Sequence, residues 1–228
     1  MPSNRHITLF HSPQTRSTAV LLLLEELQAD YELHLLNMKA GEQRQPAYLA
    51  VNPLGKVPAI LHGGTLVTEQ VAIFIYLADL YAEAGLAPAL SPGFIDPQRG
   101  AYLRWMVFYG SCFEPAMMDK AQQREVTMPA SSPYGSYADT VNLVHDQLSR
   151  GPYLLGERFS AADLLWGMAL SWMLDFKLLE AKPVFTAYVE RFKARPVVAR
   201  VMSKDIELAA QHAAAAASAT GSATGSAT

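Results

Sequence analysis

The residues with the most chemical content lie in one stretch, Asn52-Pro53-Leu54-Gly55-Lys56-Val57-Pro58-Ala59-Ile60-Leu61, with Thr68-Glu69-Gln70 close behind. A turn-forming Asn-Pro-x-Gly runs straight into a short apolar strand with a proline at its start. Proline cannot donate to a sheet ladder, so Pro58 implies an edge strand or a cis X-Pro turn. In the cis case the Val57 N–H and C=O turn outward and can pair with an extended peptide. Glu69 and Gln70 open a helical run over 71–77, whose first turn offers free N–H groups and a positive dipole end to an anion. A backbone clamp beside an anion seat fits a small acidic peptide.

The elements that must hold this stretch follow from hydrophobic period. Residues 7–11 form a strand, Ser12-Pro13-Gln14-Thr15 a turn, 18–27 a helix and 31–35 a second strand. Strand, helix, strand favours parallel pairing with a right-handed crossover. A short helix at 47–49 precedes the Val57 strand, and 65–67 is a further strand after Gly63-Gly64. Strand patterning stops in the Pro/Gly-rich stretch 85–97, which reads as a linker between a domain at 1–84 and an all-helical one at 98–212. The helical part carries runs at 98–113, 137–148, from 159 onward and 184–193. Ser160 and Asp163 have the spacing of a capping box, a structural role. The Ala-rich, then Ser-Ala-Thr-Gly, residues 213–228 read as a flexible tail.

Composition narrows the function classes. With 228 residues and 50% hydrophobic content the chain can bury a sizeable core. A net charge of −3 gives no electrostatic case for nucleic acid or an anionic membrane. The single cysteine, Cys112, excludes an intrachain disulfide and a Cys-based metal site, and fits a reducing compartment. With no apolar signal core at 1–6 and no run of membrane-spanning length, a cytoplasmic protein without a metal is expected.

Taken together, Asn-Pro-x-Gly-x-Val-Pro followed by an acidic residue before a helix resembles the cytosolic glutathione transferase family, over 7–200. Gln70 departs from the usual Ser. The resemblance implies an α/β plus all-α architecture, a thioredoxin-like domain that binds glutathione followed by a helical domain, and a homodimer. It also implies that the turn between the first strand and first helix holds the reactive group. There Ser12 and Thr15 stand where redox members of the thioredoxin-like fold keep thiols, so the chain lacks a sulfur of its own at this place. Ser12-Pro13 is similar to the Ser-Pro of serine-type, bacterial members, which makes Ser12 the first candidate to activate the glutathione thiol, with Thr15 and Ser17 as alternatives. A charge-assisted hydrogen bond of roughly 1.5–3 kcal/mol corresponds to about one to two pKa units of thiol depression.

By the same resemblance Gln43, Arg44 and above all Lys56 meet the glycyl carboxylate, and Val57-Pro58 clamps the peptide. Glu69 pairs with the ammonium, and the Gln70 backbone receives the γ-glutamyl carboxylate. A hydrophobic electrophile falls to His11 and to the stripe Trp105, Phe108, Tyr109, Cys112 and Phe113. Such a stripe also reads simply as core, and His11 as a strand-end histidine. Arg16 adds positive potential near the sulfur or is a surface arginine. The expected activity is conjugation of glutathione to a small electrophile, or glutathione-dependent reduction of one. The alternative is a non-catalytic protein of the same fold that binds partners, motivated by Gln70 and by the absence of the family's tyrosine.

Overall fold

In the computed structural model, residues 6–85 and 89–223 are described, with side chains through residue 215. Two compact units divide at residue 73/74: residues 1–73 with 196–228, and residues 74–195. The first unit therefore takes in the last helix, which the sequence reading assigned to the helical domain.

The first unit is built on four strands, β1 (Ile7–His11), β2 (Tyr31–Leu35), β3 (Ala59–His62) and β4 (Thr65–Thr68), in the order β2-β1-β3-β4. The β1–β2 pair is parallel, as the intervening helix α1 (Ser17–Glu26) requires, while β3 runs antiparallel to β1 and to β4. Of the two expectations for Pro58, the structure has the cis turn and not the edge strand. β3 is an interior strand, and the proline sits just ahead of it in a cis Val57–Pro58 peptide. Its missing N–H is therefore never demanded by the ladder.

Helix α1 is apolar almost all round because it is covered on more than one side. Residues 17–24 are all buried, with α1 packed on β1 and on α9 (Pro196–Ala223). Leu21, Leu22, Leu23 and Leu24 have no exposed surface, and each such side chain contributes about 1.5–3 kcal/mol. On α9, Val197, Val198 and Val201 form the buried stripe that meets it, and Asp205 continues that stripe. The tail reading also changes. The Ala-rich segment remains helical as far as Ala223, as expected of the best helix former, and residues 224–228 lie outside the described ones.

The second unit, among the described residues, contains most of α3 (Gln70–Glu83), then α4 (Arg99–Phe108), α5 (Glu114–Ala121), α6 (Tyr137–Leu148), α7 (Ala161–Asp175) and α8 (Pro183–Lys193). The run 98–113, expected as one helix, is α4 followed by a π-helical turn, Tyr109–Phe113, which leads into α5. Pro115 supplies the reason. It has no N–H for the carbonyl four residues back and crowds it, and the wider turn just ahead relieves both. α7 starts on the expected cap. The Asp163 carboxylate accepts from the Ser160 N–H at 2.9 Å and its hydroxyl at 3.0 Å, and also from the Leu154 N–H and the Tyr188 hydroxyl, each at 2.9 Å.

Candidate active site

The turn after β1 is a closed hydroxyl cluster. Ser17, the first residue of α1 and wholly buried, accepts from the Ser12 N–H at 3.1 Å, and its Oγ lies 3.0 Å from the Ser12 carbonyl oxygen. The Thr15 hydroxyl donates to the same carbonyl at 2.7 Å and lies 2.8 Å from Ser17 Oγ. Both backbone groups of Ser12 are thereby pinned, while the Ser12 hydroxyl itself has no partner among the described residues. Ser12 is only 4% exposed. It is not the cap of α1, since Arg16 occupies that position.

His11 is fully buried, so the structure places it in the scaffold under the turn. Its Nδ1 lies 2.8 Å from Ser17 Oγ, and its Nε2 lies 3.2 Å from Asp205 Oδ1, off the line of a good hydrogen bond. Asp205 also accepts from the Gln14 N–H at 2.7 Å and the Thr18 hydroxyl at 3.0 Å. Gln14 sits at φ +58, a costly conformation for a residue with a side chain. Asp205 thus ties down the strained apex of the turn. Sequence reasoning missed it; the available signal is an acidic residue in register with Val197, Val198 and Val201.

The Asn52 segment is equally constrained. The Asn52 side chain accepts from the Leu54 N–H at 3.1 Å and donates to the Lys56 carbonyl at 2.9 Å, which also receives the Tyr48 hydroxyl at 2.6 Å. Burial pushes the Tyr48 hydroxyl up to about 12, so it stays a donor at neutral pH. The Lys56 side chain and Arg44 are exposed, and Gln43 is half-buried. Arg44 and Gln43 adjoin this turn: Arg44 donates to the Leu54 carbonyl at 3.2 Å, and a Cβ on Gly55 would lie 2.6 Å from the Gln43 carbonyl. Neither backbone group of Val57 is taken by another backbone group among the described residues.

Because Gly55 is at φ +60 and touches backbone rather than a movable side chain, Gly55→Ala is expected to cost about 1–3 kcal/mol. Thermal unfolding checks the stability loss.

Glu69 is exposed at φ +66, one residue ahead of α3, rather than inside it. Gln70 donates to the Arg16 carbonyl at 2.9 Å, joining α3's start to the hydroxyl turn. The amide oxygens of Gln43 and Gln70 are buried without a hydrogen-bond partner among the described residues. In the second unit Trp105 and Phe113 are core, and Trp105, Phe108, Tyr109 and Phe113 all pack around Trp166 at ring-centroid distances of 4.7–6.2 Å. Phe108 and Cys112 keep partial exposure, and the Cys112 thiol donates to the Pro133 carbonyl at 3.2 Å. No group of three or more metal-ligating side chains occurs among the described residues, and no described helix is long and apolar enough to cross a membrane.

The family model described as "Glutathione S-transferase, N-terminal domain" matches residues 5–79. Glutathione S-transferase GstA of Escherichia coli O157:H7 is 31% identical over 205 residues, covering 86% of this chain and 98% of that protein. Disulfide-bond oxidoreductase YfcG of Escherichia coli K12 is 27% identical over 212 residues, 87% of this chain and 95% of that one. A glutathione transferase homologue from Sulfitobacter, solved with bound glutathione, has a TM-score of 0.70 at 30% identity and covers 88% of this chain and 98% of its own. A pinned hydroxyl turn, a cis-proline clamp and near full-length similarity to these proteins lead to one assignment: the chain belongs to the glutathione S-transferase family.

Proposed function

We propose that the chain is a glutathione transferase of the serine-type, bacterial kind, in which the Ser12 hydroxyl donates to the glutathione sulfur and favours the thiolate. One observation carries this. In a turn where the Ser17 and Thr15 hydroxyls are engaged internally, the Ser12 hydroxyl has no partner among the described residues. The nearby start of α1 adds its dipole to the same preference for an anion. Thr15 and Ser17 act as scaffold, since donating to a ligand would break bonds they already make.

Glutathione is then held by the groups that lack internal partners. The Val57 backbone pairs with the peptide, Lys56 with the glycyl carboxylate beside Arg44 and Gln43, and Glu69 with the ammonium. The orphaned amide oxygens of Gln43 and Gln70 support a ligand that brings N–H donors. For the electrophile we assign the partly exposed end of the aromatic stripe, Phe108 and Cys112, with the Tyr109 hydroxyl. The resemblance and exposed Leu54, Leu61 and Leu66 support a homodimer, and the lone Cys112 a reducing, cytoplasmic setting. A second reading, glutathione-dependent reduction by the same thiolate, is favoured by the similarity to the disulfide-bond oxidoreductase.

The test is calorimetric titration with glutathione together with ultraviolet absorbance of the bound thiolate against pH. Saturable binding with a thiol pKa below that of free glutathione is the expected result, and absence of binding sinks the reading. In the same titration Lys56→Ala is expected to weaken binding about tenfold with kcat little changed, because the lost charge pair is made equally in ground and transition states.

A further inference from the structure

The buried chain from Asp205 through His11 to Ser17 raises a question of proton placement. Ser17 Oγ has one proton and four polar neighbours: His11 Nδ1 at 2.8 Å, the Ser12 N–H at 3.1 Å, the Ser12 carbonyl at 3.0 Å and Thr15 Oγ1 at 2.8 Å. The Ser12 N–H can only donate to it. A carboxylate can only accept, and although Asp205 Oδ1 at 3.2 Å is off the line of a good hydrogen bond, a bare ring nitrogen facing it would be repelled, so the ring proton belongs on His11 Nε2. Nδ1 is then bare and takes the Ser17 proton. The Ser12 carbonyl is left to Thr15, at 2.7 Å, and the Ser17 N–H is left to Thr15 Oγ1, at 3.2 Å. The Ser17 and Thr15 hydroxyl protons then each have a separate acceptor. In the opposite tautomer Nδ1–H drives the Ser17 proton onto the Ser12 carbonyl, which then accepts from both Ser17 and Thr15.

We propose that Asp205 and His11 are positioning residues for the thiol site: Asp205 holds the His11 ring in its Nε2–H form, and that form fixes the order of the Ser17 and Thr15 hydroxyl bonds that hold the Ser12 backbone in place. The inference rests on the serine-type reading given above. Neither residue touches glutathione; both act through the turn. No other charged side chain among the described residues shares this buried cluster, whose members are 0–1% exposed at His11, Ser17, Thr18 and Asp205.

Asp205→Asn inverts the arrangement with almost no change in shape. The Gln14 N–H, at 2.7 Å from one carboxylate oxygen, requires the amide oxygen on its side. The amide NH2 then faces His11 and demands a bare Nε2, so the ring switches to Nδ1–H. The experiment is nitrogen-15 imidazole correlation spectroscopy on the ligand-free protein above neutral pH, which reads the tautomer without reference to activity. An Nε2–H ring in the unmodified protein and an Nδ1–H ring in D205N is the expected pair. In kinetics D205N should lose kcat on the order of tenfold to a hundredfold, with KM for glutathione within about threefold and the bound thiol pKa moved toward that of free glutathione. An Nδ1–H or doubly protonated His11 in the unmodified protein overturns the proposal, and that spectrum decides even if D205N does not fold. D205N with normal kcat and a depressed thiol also overturns it. A protein with the expected tautomer that binds no glutathione sinks the serine-type reading instead.

Discussion

Ser12→Ala is expected to lower kcat by roughly ten- to a hundredfold while leaving glutathione affinity nearly intact. In the role proposed for it, the hydroxyl contributes a charge-assisted hydrogen bond of roughly 1.5–3 kcal/mol to the thiolate and little to the neutral thiol. Its loss therefore appears in the ionisation of bound glutathione: the thiol pKa should rise by about one to two units. Rates measured well above that new pKa should recover most of the deficit, because the thiolate then forms without help. The turn should stay intact, since its internal bonds to this residue run through the Ser12 backbone and none uses the hydroxyl. A mutant with unchanged thiol pKa would move the role to the helix dipole or to Thr15. Stopped-flow absorbance of the thiolate, with kcat and KM determined across pH, separates these outcomes.

The largest stability effect is expected far from that turn, at Asp163→Ala. Asp163 is 2% exposed and satisfies two backbone N–H groups and two hydroxyls at the start of α7. Burial pushes its carboxyl up while those four bonds pull it down, and burial together with the adjacent carboxylate holds the Tyr188 hydroxyl well above its ordinary range. Alanine leaves the Ser160 and Leu154 N–H groups buried without acceptors and the Tyr188 hydroxyl with only the residue-163 carbonyl, at 3.5 Å. A loss of about 3–5 kcal/mol follows, and with it a fall of about 10 °C in Tm. Asp163→Asn, which keeps the shape and one acceptor, should lose clearly less. Thermal and urea unfolding of the three proteins measure the difference, and equal stabilities would show that the cap does not anchor α7.

The parts of this protein that were legible in its sequence are those encoded by neighbours. The strand–helix–strand opening, α6 and α8 came from hydrophobic period, the α7 cap from Ser160 and Asp163, and the cis peptide from Val57-Pro58 placed directly before a strand. The π turn was not legible, because the aromatic stripe continues through it. Only Gly110 and Pro115 hint at a change of pitch. Nor did strand order follow from local pattern, so Pro58 was compatible with an edge until β3 proved interior. The candidate site shows the same division. Ser12, Lys56, Val57, Glu69 and Gln70 could be nominated from short motifs, whereas Asp205 meets Gln14 across 191 residues of sequence. Long-range polar contacts leave no periodic trace.

That separation sets an order of events. When the chain is made from its first residue onward, every side chain assigned to glutathione has emerged well before Asp205 exists to hold the Gln14 apex. The hydroxyl turn is therefore among the last features to reach its final form, since closing so long a loop is slow and the intervening helices must be made first. A fragment cut at the apparent domain boundary would carry the peptide clamp and the sheet, yet present a turn without its anchor. α9 thus acts as a late anchor: the nascent protein gains an ordered hydroxyl turn only when Asp205 has folded back onto Gln14.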